Sequence, residues 1–134
     1  MHFPNRYRKS YCVISLSLFL IVFLNVSRNG FAQSSIQVAS ATPQTPTTSV
    51  SVNYSSAQTA GDLNVVVVGW NDTTAKVQSV ADSAGNTYFL AVGPTVGTGL
   101  QQSIYYAGNI RGGSNTVTVT FNQAAAYPDV RILE

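Results

Sequence analysis

The stretch Asp82-Ser83-Ala84-Gly85-Asn86-Thr87-Tyr88 holds the residues in this chain best suited to gripping a hard cation. Calcium is bound by oxygens alone, about six to eight of them, usually with several carboxylates among them. Asp82 and Asn86 offer side-chain oxygens, and Asp72 offers another in the preceding loop, so these three are the weak calcium candidates. The same seven residues also read as a plain turn. Asp accepts backbone N–H groups a few residues on, and Gly85 or Asn86 tolerates positive φ. With a single carboxylate in the stretch, the spacing favours a hairpin loop joining a strand over 76–81 to one over 87–92, and no cofactor is expected.

Other chemistry is scarce. The only histidine, His2, and the only cysteine, Cys12, lie at the extreme N-terminus. The rest of the chain therefore has no means to build a Ser/His/Asp or Cys/His arrangement or a nitrogen- and sulfur-ligated zinc site. Paired-carboxylate hydrolysis needs two acids on facing positions. Of Asp62, Asp72, Asp82, Asp129 and Glu134, three of the aspartates sit beside turn residues. The expectation is a protein that is not an enzyme.

Aromatic side chains are the remaining candidates. A β-sandwich binds polysaccharide with exposed rings that present a flat apolar face. In Tyr88-Phe89 and Tyr105-Tyr106, strand geometry sends one ring of each pair outward. Trp70 ends an apolar run just before Asn71-Asp72. Trp70, Tyr88 and Tyr105 are thus the candidate ligand-binding residues, with core packing and cross-strand ring pairing as the bland alternative.

The N-terminus has a separate purpose. Arg6, Arg8 and Lys9 precede the apolar run YCVISLSLFLIVFLNV, and Gly30-Phe31-Ala32 supplies small residues at −3 and −1 before Gln33. That pattern predicts a Sec-type signal peptide over 1–32, a domain over 33–134, and a secreted or cell-surface location. The run falls short of the ~20 residues that span a bilayer, so no membrane association is expected after cleavage. Removing the signal reverses the charge. Lys76, Arg111 and Arg131 then stand against five acidic residues, a net of −2, which removes the electrostatic basis for nucleic-acid binding.

The elements that must position these residues are all strands. Apolar residues recur at two and not at three and four. Val50, Val52 and Tyr54 share one face, and Asn115–Phe121 (NTVTVTF) alternates strictly between valine and threonine. The run DLNVVVVGW over 62–70 has four consecutive valines and reads as a central strand covered on both sides. Further strands are expected over 36–41, 76–81, 87–92, 102–107 and 130–133. About eight short strands separated by Gly, Pro and Asn signals predict an all-β antiparallel sandwich, jelly-roll or immunoglobulin-like. The chain stops while its last strand is still running, so a further strand is expected beyond Glu134.

The segments GDLNVVVVGWND, VQSVADSAGNTYFLAVGPTV, QSIYYAGNI and NTVTVTFNQAAAYPDVRILE together resemble a β-sandwich module of secreted bacterial proteins, abundant in soil bacteria of the acidobacterial kind. DSAGNTY and YPDVRILE carry the resemblance most specifically, and it covers 33–134. Such modules often stand beside immunoglobulin-like or fibronectin-like modules in long surface chains, and their pattern normally continues with Tyr-Ser-Gly. The resemblance implies a secreted, non-catalytic module. Low charge and Thr- and Asn-rich wet faces suit a structural or adhesion role, with polysaccharide or neighbouring surface modules as the expected partners. A carbohydrate-binding module is the alternative.

Overall fold

A computed structural model of the chain describes residues 35–134; the signal segment expected over 1–32 lies outside the described residues. Eight strands follow one another without an intervening helix: β1 (Val38–Ala41), β2 (Thr47–Asn53), β3 (Leu63–Trp70), β4 (Val77–Asp82), β5 (Phe89–Gly97), β6 (Leu100–Gly108), β7 (Thr116–Ala125) and β8 (Asp129–Leu133). They form a five-stranded sheet in the order β1-β8-β3-β6-β5 and a three-stranded sheet in the order β2-β7-β4. Every pairing is antiparallel.

The order has a simple logic. The first strand pairs with the last, the second with the second-last and the third with the third-last. The chain is thus one long hairpin doubled on itself and rolled into two sheets, which is the jelly-roll form of the expected sandwich. The roll breaks at its closed end. There β4 and β5 should pair, yet β4 ends in the small sheet and β5 turns back onto β6 in the large one. A tight link from Gly97 to Leu100, with Gly99 at φ 73°, makes that turn.

Alternation explains the core. Val50 and Val52 from β2, Val66, Val68 and Trp70 from β3, Val117, Val119 and Phe121 from β7, and Val130 and Ile132 from β8 all point between the sheets and are buried. Trp70 meets Phe121 edge-on, with centroids 5.5 Å apart and planes at 67°. The threonines of β7 face outward as expected. They pair with Ser51 and Asn53 through hydroxyl contacts of 2.9 Å (Thr118) and 2.8 Å (Thr116).

The four-valine run departs from expectation in one respect. β3 is central, with β6 and β8 on its two sides. However, only Val66 and Val68 are buried, while Val65 and Val67 lie half-exposed on an uncovered outer face. The apolar run reflects an apolar outer face, and no second layer covers it.

Because Trp70 is the only tryptophan, its fluorescence reports on this core during denaturant unfolding. Phe121→Ala, which deletes the ring packed on it, should cost about 3–5 kcal/mol. Thr118→Ala on the wet face should stay within about 1 kcal/mol. Equal losses at the two positions would contradict the inside–outside assignment of β7.

Candidate functional site

Two clusters of polar side chains lie at opposite ends of β3, and each contains one of the aspartates singled out from the sequence. At the end where β3 begins, five side chains close a ring of hydrogen bonds. Gln58 Nε2 donates to Asn64 Oδ1 (2.5 Å), and Asn64 Nδ2 donates to the Tyr88 hydroxyl (3.1 Å). The Tyr88 hydroxyl donates to Asp82 Oδ2 (2.9 Å). Asn115 Nδ2 closes the circuit by donating to both Asp82 Oδ2 (2.8 Å) and Gln58 Oε1 (2.7 Å). Gln58, Asn64 and Asn115 are buried, so each amide needs these partners to offset the loss of water.

Asp82 also receives the Asn86 N–H at Oδ1 (2.9 Å) and the Asn86 side-chain amide at Oδ2 (2.8 Å). Asn86 in turn accepts the Arg111 N–H (2.9 Å). The expected β4–β5 hairpin is therefore replaced by a crossover. Asp82 ends β4 in the small sheet, but its carboxylate holds Tyr88, whose hydroxyl is bonded to Asn64 of the large sheet. The chain is drawn across the gap before β5 begins. Of Gly85 and Asn86, the two residues suited to a positive φ, Gly85 takes it, at 74°. Burial pushes the Asp82 carboxyl up, but the bonds from Asn115, Asn86 and Tyr88 outweigh it and hold the group below its ordinary 3.8. The Tyr88 phenol is driven far up, by burial first and then by the adjacent Asp82 charge.

At the opposite end, Asp72 Oδ1 accepts the N–H groups of Thr74 (2.8 Å) and Ala75 (2.7 Å). Its Oδ2 accepts the N–H of Ala126 (2.9 Å), and Asn71 donates to the Ala126 carbonyl (2.7 Å). Asp72 thus ties the loop after β3 to the link between β7 and β8. Its partial burial works upward, but these bonds prevail and its carboxyl also lies below 3.8.

The calcium candidates are not brought together. Asp72 and Asp82 flank β4 at its two ends, and their oxygens, like those of Asn86, are engaged by protein donors. Among the described residues no three His, Cys, Asp or Glu side chains cluster closely enough to hold a metal ion. The aromatic candidates are not assembled into a platform either. Trp70 is 2% exposed, with its indole N–H on the Ala75 carbonyl (3.2 Å). Tyr88 and Tyr105 pack half-buried against the core.

The outward rings are the other member of each pair, Phe89 and Tyr106. They face each other across β5 and β6 with centroids 5.8 Å apart. Around them, register builds two apolar rows over the outer face of the large sheet. One runs Val38, Leu133, Val65, Tyr106, Phe89 across all five strands; the next joins Val67, Ile104 and Val92 on three strands and meets Arg131 on β8. Sequence reasoning missed this face. Its parity was readable from Val65 and Val67, but which strands lay side by side was not.

Comparison with protein-family models, with curated proteins and with solved structures gives no match. Assignment of a role therefore rests on the geometry of these faces and clusters.

The ring predicts its own pH dependence. The folded value of Asp82 is the lower one, so on acidification the unfolded chain takes up the proton first. The stabilisation is complete above about pH 4 and is lost as pH falls through the folded value. Asp82→Asn keeps the shape but faces three donors with an amide nitrogen. It should cost about 2–4 kcal/mol at pH 7 and flatten the acid limb of the stability profile. An unchanged acid limb in this variant would remove Asp82 from the account.

Proposed function

We propose that the chain is a non-catalytic, exported β-sandwich module that works by contact, as a structural or adhesion unit of a cell-surface assembly. The observation that carries the reading is the apolar outer face of the large sheet, set against the Ser/Thr/Asn outer face of the small one. Phe89 is 55% exposed and Val92 equally so, and a sheet face with no contact role would be expected to be polar. Supporting it, Asp72 and Asp82 serve as acceptors for the fold's own donors, Asp129 pairs with Arg131 (2.9 Å), and the Glu134 carboxylate takes the Thr59 N–H (2.7 Å). Export is supported by the basic and apolar N-terminal segment ending at Ala32.

The face, and not the sheet edge, is the contact surface. β5 is an edge strand, but its register breaks twice, between Leu90 and Val92 and between Val92 and Thr95. Pro94 lies within the second break and has no N–H to offer. Bulges and proline are the devices that blunt an edge against strand addition.

One row across five strands and a second across three cover roughly 24 × 7 Å and 14 × 7 Å, about 270 Å². That is too small for a stable free dimer, at ~800 Å² per partner, whereas a module tethered in the same chain needs less contact because the linker holds it at a high effective concentration. The occupant is accordingly a second copy of this module held next to it.

Two copies of 35–134 joined by a flexible linker should melt at a higher temperature than the single domain, and Phe89→Ser with Val92→Lys should abolish the increment. The single domain should remain monomeric in sedimentation. A tandem that melts like the single domain would sink the contact surface, and an N-terminus other than Gln33 on the exported protein would sink the export reading.

A further inference from the structure

Three features at the Asp72 end of the sandwich are not explained by the packing of the core. The first is Gly69. It lies in a central strand, hydrogen-bonded on both sides, where glycine weakens a sheet and commonly marks close approach of a ligand or another backbone. Nothing in the packing requires it. A Cβ there would meet only the backbone oxygens of Gln101 and Asp129, at 3.9 and 4.0 Å, an ordinary contact distance. The second is Tyr127, whose φ is 44° although it is neither glycine nor asparagine and stands before Pro128. A bulky residue in the left-handed region is a true outlier, and such strain persists where the surroundings enforce it. Here the enforcing bonds are those of Asp72 and Asn71 to Ala126. The third is the Asp129–Arg131 pair on the outer face of β8. Arg131 Nε and Nη2 engage the Asp129 carboxylate at 2.9–3.3 Å.

These features border one cleft of about 360 Å³ on the outer face, which begins at Val67 of the second apolar row and has Gly69, Leu100, Gln102, Tyr127, Asp129 and Arg131 in its lining. Gly69 is paired with Gln102 on one side and Asp129 on the other. The bare backbone of Gly69 is therefore a floor between two polar side chains two strand spacings apart, about 9–10 Å. Tyr127, 54% exposed, supplies an aromatic face at the end of this slot. The volume falls at the low end of small-molecule sites, ~300–1,000 Å³.

We propose that this cleft is a binding site for a neutral saccharide end or short oligosaccharide. One pyranose ring would lie on the Gly69 backbone between Gln102 and Asp129, with a sugar face against Tyr127. The chemistry selects this class. Gln102 both donates and accepts, Asp129 accepts, and the Arg131 Nη1 group keeps its N–H donors, a mixture that suits vicinal hydroxyls. Because Asp129 and Arg131 neutralise each other, neither an anionic nor a cationic ligand is favoured over a neutral one. The cleft adjoins the module–module contact at Val67, and the two are told apart by their variants, since Gly69 and Tyr127 lie outside the apolar rows while Phe89 and Val92 lie outside the cleft.

The test is titration of the ¹⁵N-labelled domain with cellobiose, maltotriose and N,N′-diacetylchitobiose, followed by amide shifts. At least one sugar should move the Gly69, Gln102 and Tyr127 amides. Gly69→Val fills the floor with a residue that suits a strand, and should fold while weakening binding about tenfold or abolishing it. Tyr127→Gly removes the ring and relieves the left-handed strain. It should therefore raise the melting temperature while binding is lost, the opposite of what a structural tyrosine would do. Shifts by none of the three sugars at millimolar concentration would overturn the proposal. So would binding unaffected by either variant, or a lowered melting temperature in Tyr127→Gly.

Discussion

The Asp82 carboxylate is the constraint on which the rest of this jelly roll depends. Four donors converge on its two oxygens, and they come from the turn after β4, from Tyr88 ahead of β5 and from Asn115 ahead of β7. Through Asn64 and Gln58 the same circuit reaches β3 and the loop before it. One charge thus sits where both sheets end, in a place too enclosed for water to serve the buried amides. An apolar plug would fill the same space, but it would take away the acceptor that the Tyr88 hydroxyl and the Asn115 amide share. A closed polar ring is stable only when every member is satisfied. This one fixes the sheets in one relative position and sends β5 to the large sheet. The five-against-three strand count follows from that diversion, and with it the uncovered outer face.

Alternation in NTVTVTF, in Val50–Tyr54 and in the last strand made the strand content and the inner face legible in the sequence, because side-chain parity is a local property. The valine run over 65–68 showed that β3 was central. It did not show whether the outer valines were covered, since covered and uncovered apolar faces have the same local pattern. DSAGNTY was legible as a turn with Gly85 at positive φ, but its destination was not. A hairpin and a crossover use the same turn residues, and the difference lies in Asn64 and Asn115, residues distant in sequence. The aromatic pairs failed for a related reason. Parity says that one ring of Tyr88-Phe89 and of Tyr105-Tyr106 faces out, but only the register of β5 on β6 says which.

Asp72 and Asp82 read alike in the sequence, as acids beside turn residues, and both are held below their ordinary value by donors that outweigh burial. Their structural work differs. Asp82 takes three of its four bonds from side chains and closes the interior. Asp72 takes backbone N–H groups from the loop after β3 and from Ala126, and so fixes a surface link. That link is where Tyr127 takes a conformation it would not choose alone. The same bonding capacity thus gives a sealed end and a shaped, open one.

The position of Gly69 connects these ends to the outer face. Along β3 the outward residues run Leu63, Val65, Val67, Gly69, so apolar bulk gives way to bare backbone in a single strand. The strands at its sides change too: Tyr106 and Ile104 give way to Gln102 on β6, and on β8 Leu133 gives way one row earlier to Arg131, opposite Val67, and then to Asp129. A face meant only to pack on another module would keep its bulk to the end of the strand, because the stabilisation gained on contact scales with the apolar area covered. The change from valine to glycine, matched by amide, carboxylate and guanidinium neighbours, divides the sheet face into a dry part and a hydrogen-bonding part. The dry part adjoins the end that the Asp82 ring has locked, and the hydrogen-bonding part adjoins the link that Asp72 holds. A contact that must be rigid and a ligand that must be reached from solvent place opposite demands on a surface, and the two proposed roles fall on parts of the sheet that differ in this way.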